Sequence, residues 1–411
     1  MKPDKTEVLS VFLDHYGHCY KVGRLAYSQR QIYFEYDAAF IEGGLQISPY
    51  KLPLQKGVIL CDDKIFEGLF GVFADSLPDG WGRLLIDRHL HTLGQTPSSL
   101  TPLDRLKFVG KYGMGALSYE PEHSITIEYP DTFNVDELAM HANEILKGES
   151  EEMLEVLLSL NGSSAGARPK AMIQTNHDYT HIIHGSAPLK EGYEHWIVKF
   201  PSSLDSKESG AIEYAYSVMA KNAGIVMPKT TLLKSQKGSY FACERFDRCK
   251  DVKIHVHTVA GLVHADFRFP SLDYDDILFL THHLTKDIQE VERAYRLACF
   301  NVLSHNRDDH AKNFSFIMDQ EGAWKLSPAY DLTFSSGPAG EHSTTVLGEG
   351  KNPTKEHLIA LAQKHQLKNA HTILSEVQKA IYMWKEWASQ AHVSPKTTAF
   401  IANIIQAKEA L

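Results

Sequence analysis

The chain has few cysteines, and they are not arranged for cross-linking. Cys19, Cys61, Cys243, Cys249 and Cys299 are an odd number scattered over 411 residues, unlike the dense even spacing of a secreted framework. Reduced thiols and a cytoplasmic location are expected. Two groups, His15 with His18 and Cys19, and Cys243 with Cys249, His255 and His257, carry metal-type side chains without zinc-type spacing, so packing roles are expected for them. Nowhere do 18 apolar residues run together, which excludes a spanning helix, and the first residues interleave Lys2, Asp4, Lys5 and Glu7, unlike an export signal. A surplus of positive charge is also missing. With 42 Lys and Arg against 51 Asp and Glu, the net charge is −9, so strong nucleic-acid binding by the chain alone is not expected. There is no internal repeat and no low-complexity tract.

What is present belongs to an ordinary globular protein: 43% hydrophobic, 23% charged and 10% aromatic residues, at a length suited to about two to three domains. Alternating runs at Val8 to Leu13, Arg24 to Tyr27 and Gln31 to Tyr36 predict a small β-rich module. Helices are expected over Trp81 to Leu93, Leu103 to Val109 and from Asn134 onward. Strand-type runs then dominate at Ala171 to Gln174, His181 to His184, Trp196 to Phe200, Thr230 to Lys234 and Tyr240 to Arg245, with one helix, Ile212 to Ala223, between them. Val252 to Thr258 reads as a further strand. Helices follow at Asp275 to Leu284 and Lys286 to Leu303, and three amphipathic stretches close the chain after Thr354. His282 and His283 are expected to be partly buried, and Glu149, Glu151 and Glu152 to be solvated charges at a helix start near Ser150. The five tryptophans are expected in the core or in a groove. The fold class is α+β, with segments 1–125, 126–260 and 261–411 as a β-rich N-terminal domain, a strand-rich lobe and a helical lobe.

The densest chemistry lies in Ser304 to Ser315, where Asp308 and Asn313 stand five positions apart. That is the spacing by which a kinase catalytic loop sets a base Asp and a metal-binding Asn. Either Asp308 or Asp309 could be the base, and the spacing to Asn313 favours Asp308. Eighteen residues beyond Asn313, Asp331 offers a second hard oxygen ligand for Mg²⁺. Upstream, Asn161 to Lys170 is a turn of small residues, Gly162, Ser163, Ser164 and Ala165 among them, whose backbone amides can approach a triphosphate closely. It is not a Walker A loop, because Ala167 stands where the second glycine would be. Lys199, ending an apolar strand, could reach phosphates, with Glu213 on the next helix as its ion-pair partner.

In this order the motifs resemble the HipA-like serine/threonine kinases, toxins of bacterial toxin–antitoxin modules. The carriers are Ser164 to Lys170, Ile197-Val198-Lys199-Phe200-Pro201, Glu244-Arg245-Phe246-Asp247-Arg248, Asp309 to Ser315 and Pro328 to Leu332, with Phe73 to Gly80 in the first domain. The resemblance implies a bilobal protein-kinase-like body below the N-terminal domain, and ATP and Mg²⁺ as cofactors. It implies Asp308 as catalytic base, Asn313 and Asp331 as metal ligands, and Lys199, Ser164, Ala165, Glu244, Phe246 and His310 around ATP. It also implies autophosphorylation at Ser163, a protein acceptor that could be translation-related, and neutralisation by an antitoxin of the HipB type. The residues leave open two other readings: a catalytically silent partner-binding or co-repressor protein, and a small-molecule phosphotransferase.

Overall fold

The structure, a computed structural model, describes residues 6–123, 130–161, 166–202 and 205–407. The early alternation builds a five-stranded antiparallel sheet from β1 (Glu7–His15), β2 (His18–Ser28), β3 (Gln31–Tyr36), β4 (Val58–Leu60) and β5 (Leu117–Glu120), in the order β4-β3-β2-β1-β5. Leu9, Val11, Leu13 and His15 of β1 all face inward, because successive strand side chains point to opposite faces. A second antiparallel sheet, ordered β7-β6-β8-β10-β9, uses β6 (Lys170–Asn176), β7 (Ile182–His184), β8 (Tyr193–Lys199), β9 (Thr230–Lys234) and β10 (Ser239–Glu244). Short ladders complete the strands. β11 (Arg248–Cys249) pairs with β12 (Val252–Lys253), β14 (Leu272–Asp273) runs parallel to β17 (Thr344–Thr345), and β13 (Val256–Thr258), β15 (Ser315–Met318) and β16 (Trp324–Leu326) form a three-stranded sheet.

Helices α1 (Ala38–Gly43), α2 (Gly71–Ala74), α3 (Gly80–Thr92) and α4 (Pro102–Val109) lie between β3 and β5 in sequence, and α5 (Val135–Lys147) and α6 (Leu154–Asn161) precede the second sheet. α7 (Ser209–Asn222) follows β8. The helical part comprises α8 (Val259–Val263), α9 (Tyr274–Thr285), α10 (Ile288–Leu303), α11 (Lys355–Lys364), α12 (Ala370–Tyr382), α13 (Trp384–Gln390) and α14 (Pro395–Ala407). Burial couples these parts across the sequence. α3 packs Trp81, Leu85, Ile86 and Leu90 against α5, α6 and the second sheet, while the first sheet shares a continuous apolar cluster with α7, α9, α10 and the C-terminal helices. All five tryptophans are buried.

Several local expectations are corrected. Four helices, not three, end the chain, because the backbone at Met383 leaves helical geometry between α12 and α13. Val252 to Thr258 is not one strand: the Ile254 amide turns to the Asp247 carbonyl (3.0 Å), and the buried His255 ring reaches the Ile47 carbonyl at 2.9 Å. His282 and His283 are exposed, with the His283 ring tilted against Phe279. The expected helix start near Ser150 comes later, at Leu154, after Met153 at φ +61°.

Candidate active site

β8 brings the phosphate-type lysine into the molecule. Trp196 and Val198 turn into the core, so Ile197 and Lys199 share the opposite, half-buried face, and α7 presents the buried Glu213 one turn from its start. Lys199 Nζ stands 2.5 Å from Glu213 Oε1 and 2.6 Å from Asp331 Oδ1. Asp331 adopts φ +56°, a left-handed conformation that costs an L-residue about 1–2 kcal/mol, and its carboxylate is held by this lysine. Beside it in register on β6 is Lys170, also buried. Arg168 adds a third cation, 3.2 Å from Asp205 and 3.9 Å from Glu213.

The charges in this cluster set one another. Burial opposes ionisation of Asp331, but Lys199 and then Lys170 outweigh it and hold the carboxyl below its usual range. Burial would lower Lys199, yet Asp331 and Glu213 raise it well above an ordinary lysine. For Lys170, burial and the neighbouring Lys199 outweigh the pull of Asp331, Glu213 and Asp79 and bring it down to about 8. Burial, only partly offset by Lys199, holds Glu213 above the ordinary carboxylate range.

The loop after α10 separates the two adjacent aspartates. Asp309 is buried and accepts from Tyr274 Oη (2.7 Å) and the Ser343 and Thr344 amides (2.8 and 3.2 Å), with His342 Nδ1 at 2.9 Å. Its oxygens are consumed in closing the fold. Asp308 turns out, with its side chain 54% exposed and 4.0 Å from His310 Nε2. Water lost on its inner side, with Asp331 and Asp309 nearby, holds Asp308 above the ordinary carboxylate range against the pull of His310. Asn313 donates Nδ2 to the Asp308 carbonyl at 2.7 Å, which leaves its amide oxygen for other partners. His310 Nδ1 is buried without a partner among the described residues. An open cleft of about 510 Å³ beside Asp308 and His310 is walled by Phe267, Phe269, Ser335 and Pro338.

Beyond β10, Phe246 stacks on Tyr330, with centroids 5.6 Å apart, and Tyr330 immediately precedes Asp331. Glu244 ends β10 with its amide bound to the Lys229 carbonyl at 2.9 Å. Of the residues expected at the site, Lys199 and Asp331 are therefore in contact, Asp308, His310 and Asn313 share one loop, and Phe246 reaches Asp331 through Tyr330. Ser163, Ser164 and Ala165 lie outside the described residues.

Among the described residues no three His, Cys, Asp or Glu side chains form a protein-only metal cage. A magnesium ion shared with nucleotide phosphates needs only one or two protein oxygens, and the Asp331 carboxylate and Asn313 amide are of that hard type. The donor chemistry fits, and the unpartnered His310 Nδ1 and the lysine pair suit a polyphosphate. Two residues of this region escape sequence reasoning. Lys170 is visible only as the end of the small-residue turn, and Lys312, inside the Asp308–Asn313 span, pairs with Asp79 of the first domain at 2.7 Å. A strand-pairing argument between the two lysine strands could have found Lys170; nothing local connects positions 79 and 312.

Two family profiles between them match most of the chain. The HipA N-terminal domain profile matches residues 11–120 and the HipA-like C-terminal domain profile matches 162–385. A Sinorhizobium fredii protein named "Putative kinase Y4dM" is 28% identical over 193 residues, 42% of this chain and 46% of its own length. A Haemophilus influenzae protein named "Putative kinase" is 25% identical over 150 residues, 33% of this chain and 44% of its own. The chain thus spans less than half of either relative. The solved HipA of Shewanella oneidensis, in a complex with HipB and operator DNA, covers 97% of this chain and 95% of its own at a TM-score of 0.68 and 15% identity, a likeness of fold.

Proposed function

The chain belongs to the HipA-like family, and from that premise we propose that it is a Mg-ATP-dependent kinase that phosphorylates serine or threonine hydroxyls of a protein. The observation that carries this reading is Lys199 held between Glu213 and Asp331 while Asp308 stands exposed on the facing loop. Bound Mg-ATP supplies the transferable phosphoryl group, with Asn313 and Asp331 as the residues that would hold the metal. Lys199 and Lys170 would neutralise phosphate charge, His310 would lie beside the phosphates, and Ser164 and Ala165 would offer backbone amides. Glu244 and Phe246 would border the adenine. Asp308 would accept the proton of the acceptor hydroxyl, and the open cleft of about 510 Å³ beside it would receive the acceptor segment.

The toxin role, an antitoxin partner of the HipB type and a cytoplasmic location belong to the same proposal. The solved relative's complex with HipB supports the partner, and five free thiols suit a reducing compartment. Among the described residues no helix is long and apolar enough to cross a membrane. Phosphorylation of Ser163 would add about −1.5 to −2 charge to the small-residue turn that precedes Lys170 in the chain, opposing nucleotide binding. Mass spectrometry after incubation with Mg-ATP tests the reading: phosphate is expected on the wild-type chain or on a lysate protein and is expected to vanish with Asp308→Asn. Phosphate confined to Ser163 should be absent from Ser163→Ala. An intact, folded wild type that phosphorylates neither itself nor any lysate protein would overturn the kinase assignment.

A further inference from the structure

Asp79 is the N-cap residue of α3, yet its side chain makes no capping hydrogen bond. An aspartate in that position ordinarily accepts from the amide two or three residues on, which stabilises the helix start. Here the carboxylate instead points across the molecule to Lys312 Nζ at 2.7 Å, 233 positions away. Lys312 is nearly buried, and its ammonium also lies 4.3 Å from the centre of the Phe267 ring. A buried ammonium needs a counter-charge, and among the described residues Asp79 is the carboxylate paired with it.

Lys312 cannot move alone. It lies in the 3₁₀ turn Ala311–Asn313, its carbonyl accepts from Tyr330 Oη at 2.7 Å, and the next residue, Asn313, is tied to the Asp308 carbonyl. A displacement of Lys312 therefore bears on Asp308, Asn313 and, through Tyr330, Asp331. The residues after Asp79 hold the other side of the site. A Cβ on Gly80 would come within 2.8 Å of Ala167 Cα, the Trp81 amide donates to the Gly166 carbonyl at 3.2 Å, and Trp81 Nε1 donates to the Lys170 carbonyl at 3.1 Å. Three consecutive residues of the first domain thus bracket the end of the small-residue turn and the loop that carries Asp308.

We infer that Asp79 is a positioning residue for phosphoryl transfer: through Lys312 it sets where the Asp308–Asn313 loop stands, so the first domain contributes to turnover without touching nucleotide or acceptor. This rests on the kinase reading above. Among the described residues the Asp79 carboxylate pairs with Lys312 on the catalytic-loop side and acts on Lys170 only as a weaker, more distant charge, so its loss should lower turnover far more than nucleotide affinity.

The test uses the full-length chain as wild type, Asp79→Asn, Lys312→Met and the double variant. Phosphoryl transfer from Mg-ATP to casein as a loosely structured acceptor protein, followed as ADP formation, gives kcat, and a fluorescent ATP analogue gives affinity in parallel. Each single variant should lose about tenfold to a hundredfold in kcat with nucleotide affinity within about twofold, and the double variant should be no worse than the poorer single one. A folded Asp79→Asn with wild-type kcat, or losses that multiply in the double variant, would overturn the inference while leaving the kinase reading intact. Wild type that forms no ADP would remove both. Should Asp79→Asn fail to fold, Asp79→Glu carries the same test, since it keeps the charge but moves it by one methylene: a fall in kcat at constant affinity supports the inference and an unchanged kcat defeats it.

Discussion

Asp308 and Asp309 are neighbours in the chain with opposite surroundings, one exposed to the cleft and the other buried under Tyr274, His342 and two backbone amides. On the kinase reading, Asp308→Asn should cut phosphoryl transfer by about 10²- to 10⁴-fold while ATP affinity, measured by calorimetry, stays near wild type. Asp309→Asn should act on the fold instead. It weakens acceptors for several buried donors and should cost about 1–3 kcal/mol in denaturant unfolding. The raised pKa of Asp308 adds a pH signature. A general base works when deprotonated, so kcat/KM should fall as the pH drops through that raised pKa, placing the acid limb of the profile above the ordinary aspartate value of about 3.9. A limb at or below that value in wild type would contradict the assignment. The five-residue spacing to Asn313 was legible in the sequence, whereas the division of labour between the two aspartates depends on α9 and the 342–344 segment closing over one of them.

Among the elements, one close junction lies between α2 of the first domain and α8 of the body. A Cβ on Gly71 would stand 2.1 Å from the Gly261 carbonyl oxygen, and backbone cannot yield as a flexible side chain can. Gly71→Ala should therefore destabilise the chain by about 1–3 kcal/mol, read as a lower denaturant midpoint, through overpacking. Nearby, Asp75 binds the Thr258 amide and hydroxyl at 2.8 and 2.6 Å and sits 2.6 Å from His257 Nδ1, so the same junction is polar as well as close-packed. Strands β1, β3, β6 and β8 were readable because their burial alternates or runs apolar. The break between β12 and β13 was not, because the competing partners, Asp247 and Ile47, belong to other parts of the chain. The C-terminal helices were seen as amphipathic, but the division between α12 and α13 comes from backbone geometry at Met383 rather than from a Gly or Pro.

For the molecule as a whole, acid should be the sensitive direction. Burial holds His255 down to about 3, from an ordinary 6.5, and His184 and His195 down to about 4. Between those values and 6.5 the unfolded chain binds more protons than the folded one, so stability rises with pH through that window. The contribution is complete above about 6.5 and is lost as the pH falls toward 3. Each such group gives a slope of up to about 1.4 kcal/mol per pH unit. Denaturant melts between pH 7 and pH 4 should show this decline, and His255→Gln should make it shallower; an unchanged slope in that variant would mean that His255 does not stay neutral in the folded chain. His255 links the first domain to the body through the Ile47 carbonyl, so its protonation bears on the docking of the two.

The sequence by itself determined the pieces: the alternating strands, the amphipathic helices, the small-residue turn, the strand-end Lys199, the Asp308-to-Asn313 spacing and the later Asp331. These are properties of neighbours, where side-chain period and turn chemistry act over a few residues. Only the tertiary structure decided which pieces meet. Lys199 finds Asp331 across 132 positions and Lys312 finds Asp79 across 233, and α3 leaves the first sheet to join the core of the second. Those pairings follow from how the whole chain buries its apolar faces, and a buried ammonium takes whichever carboxylate that burial brings within reach.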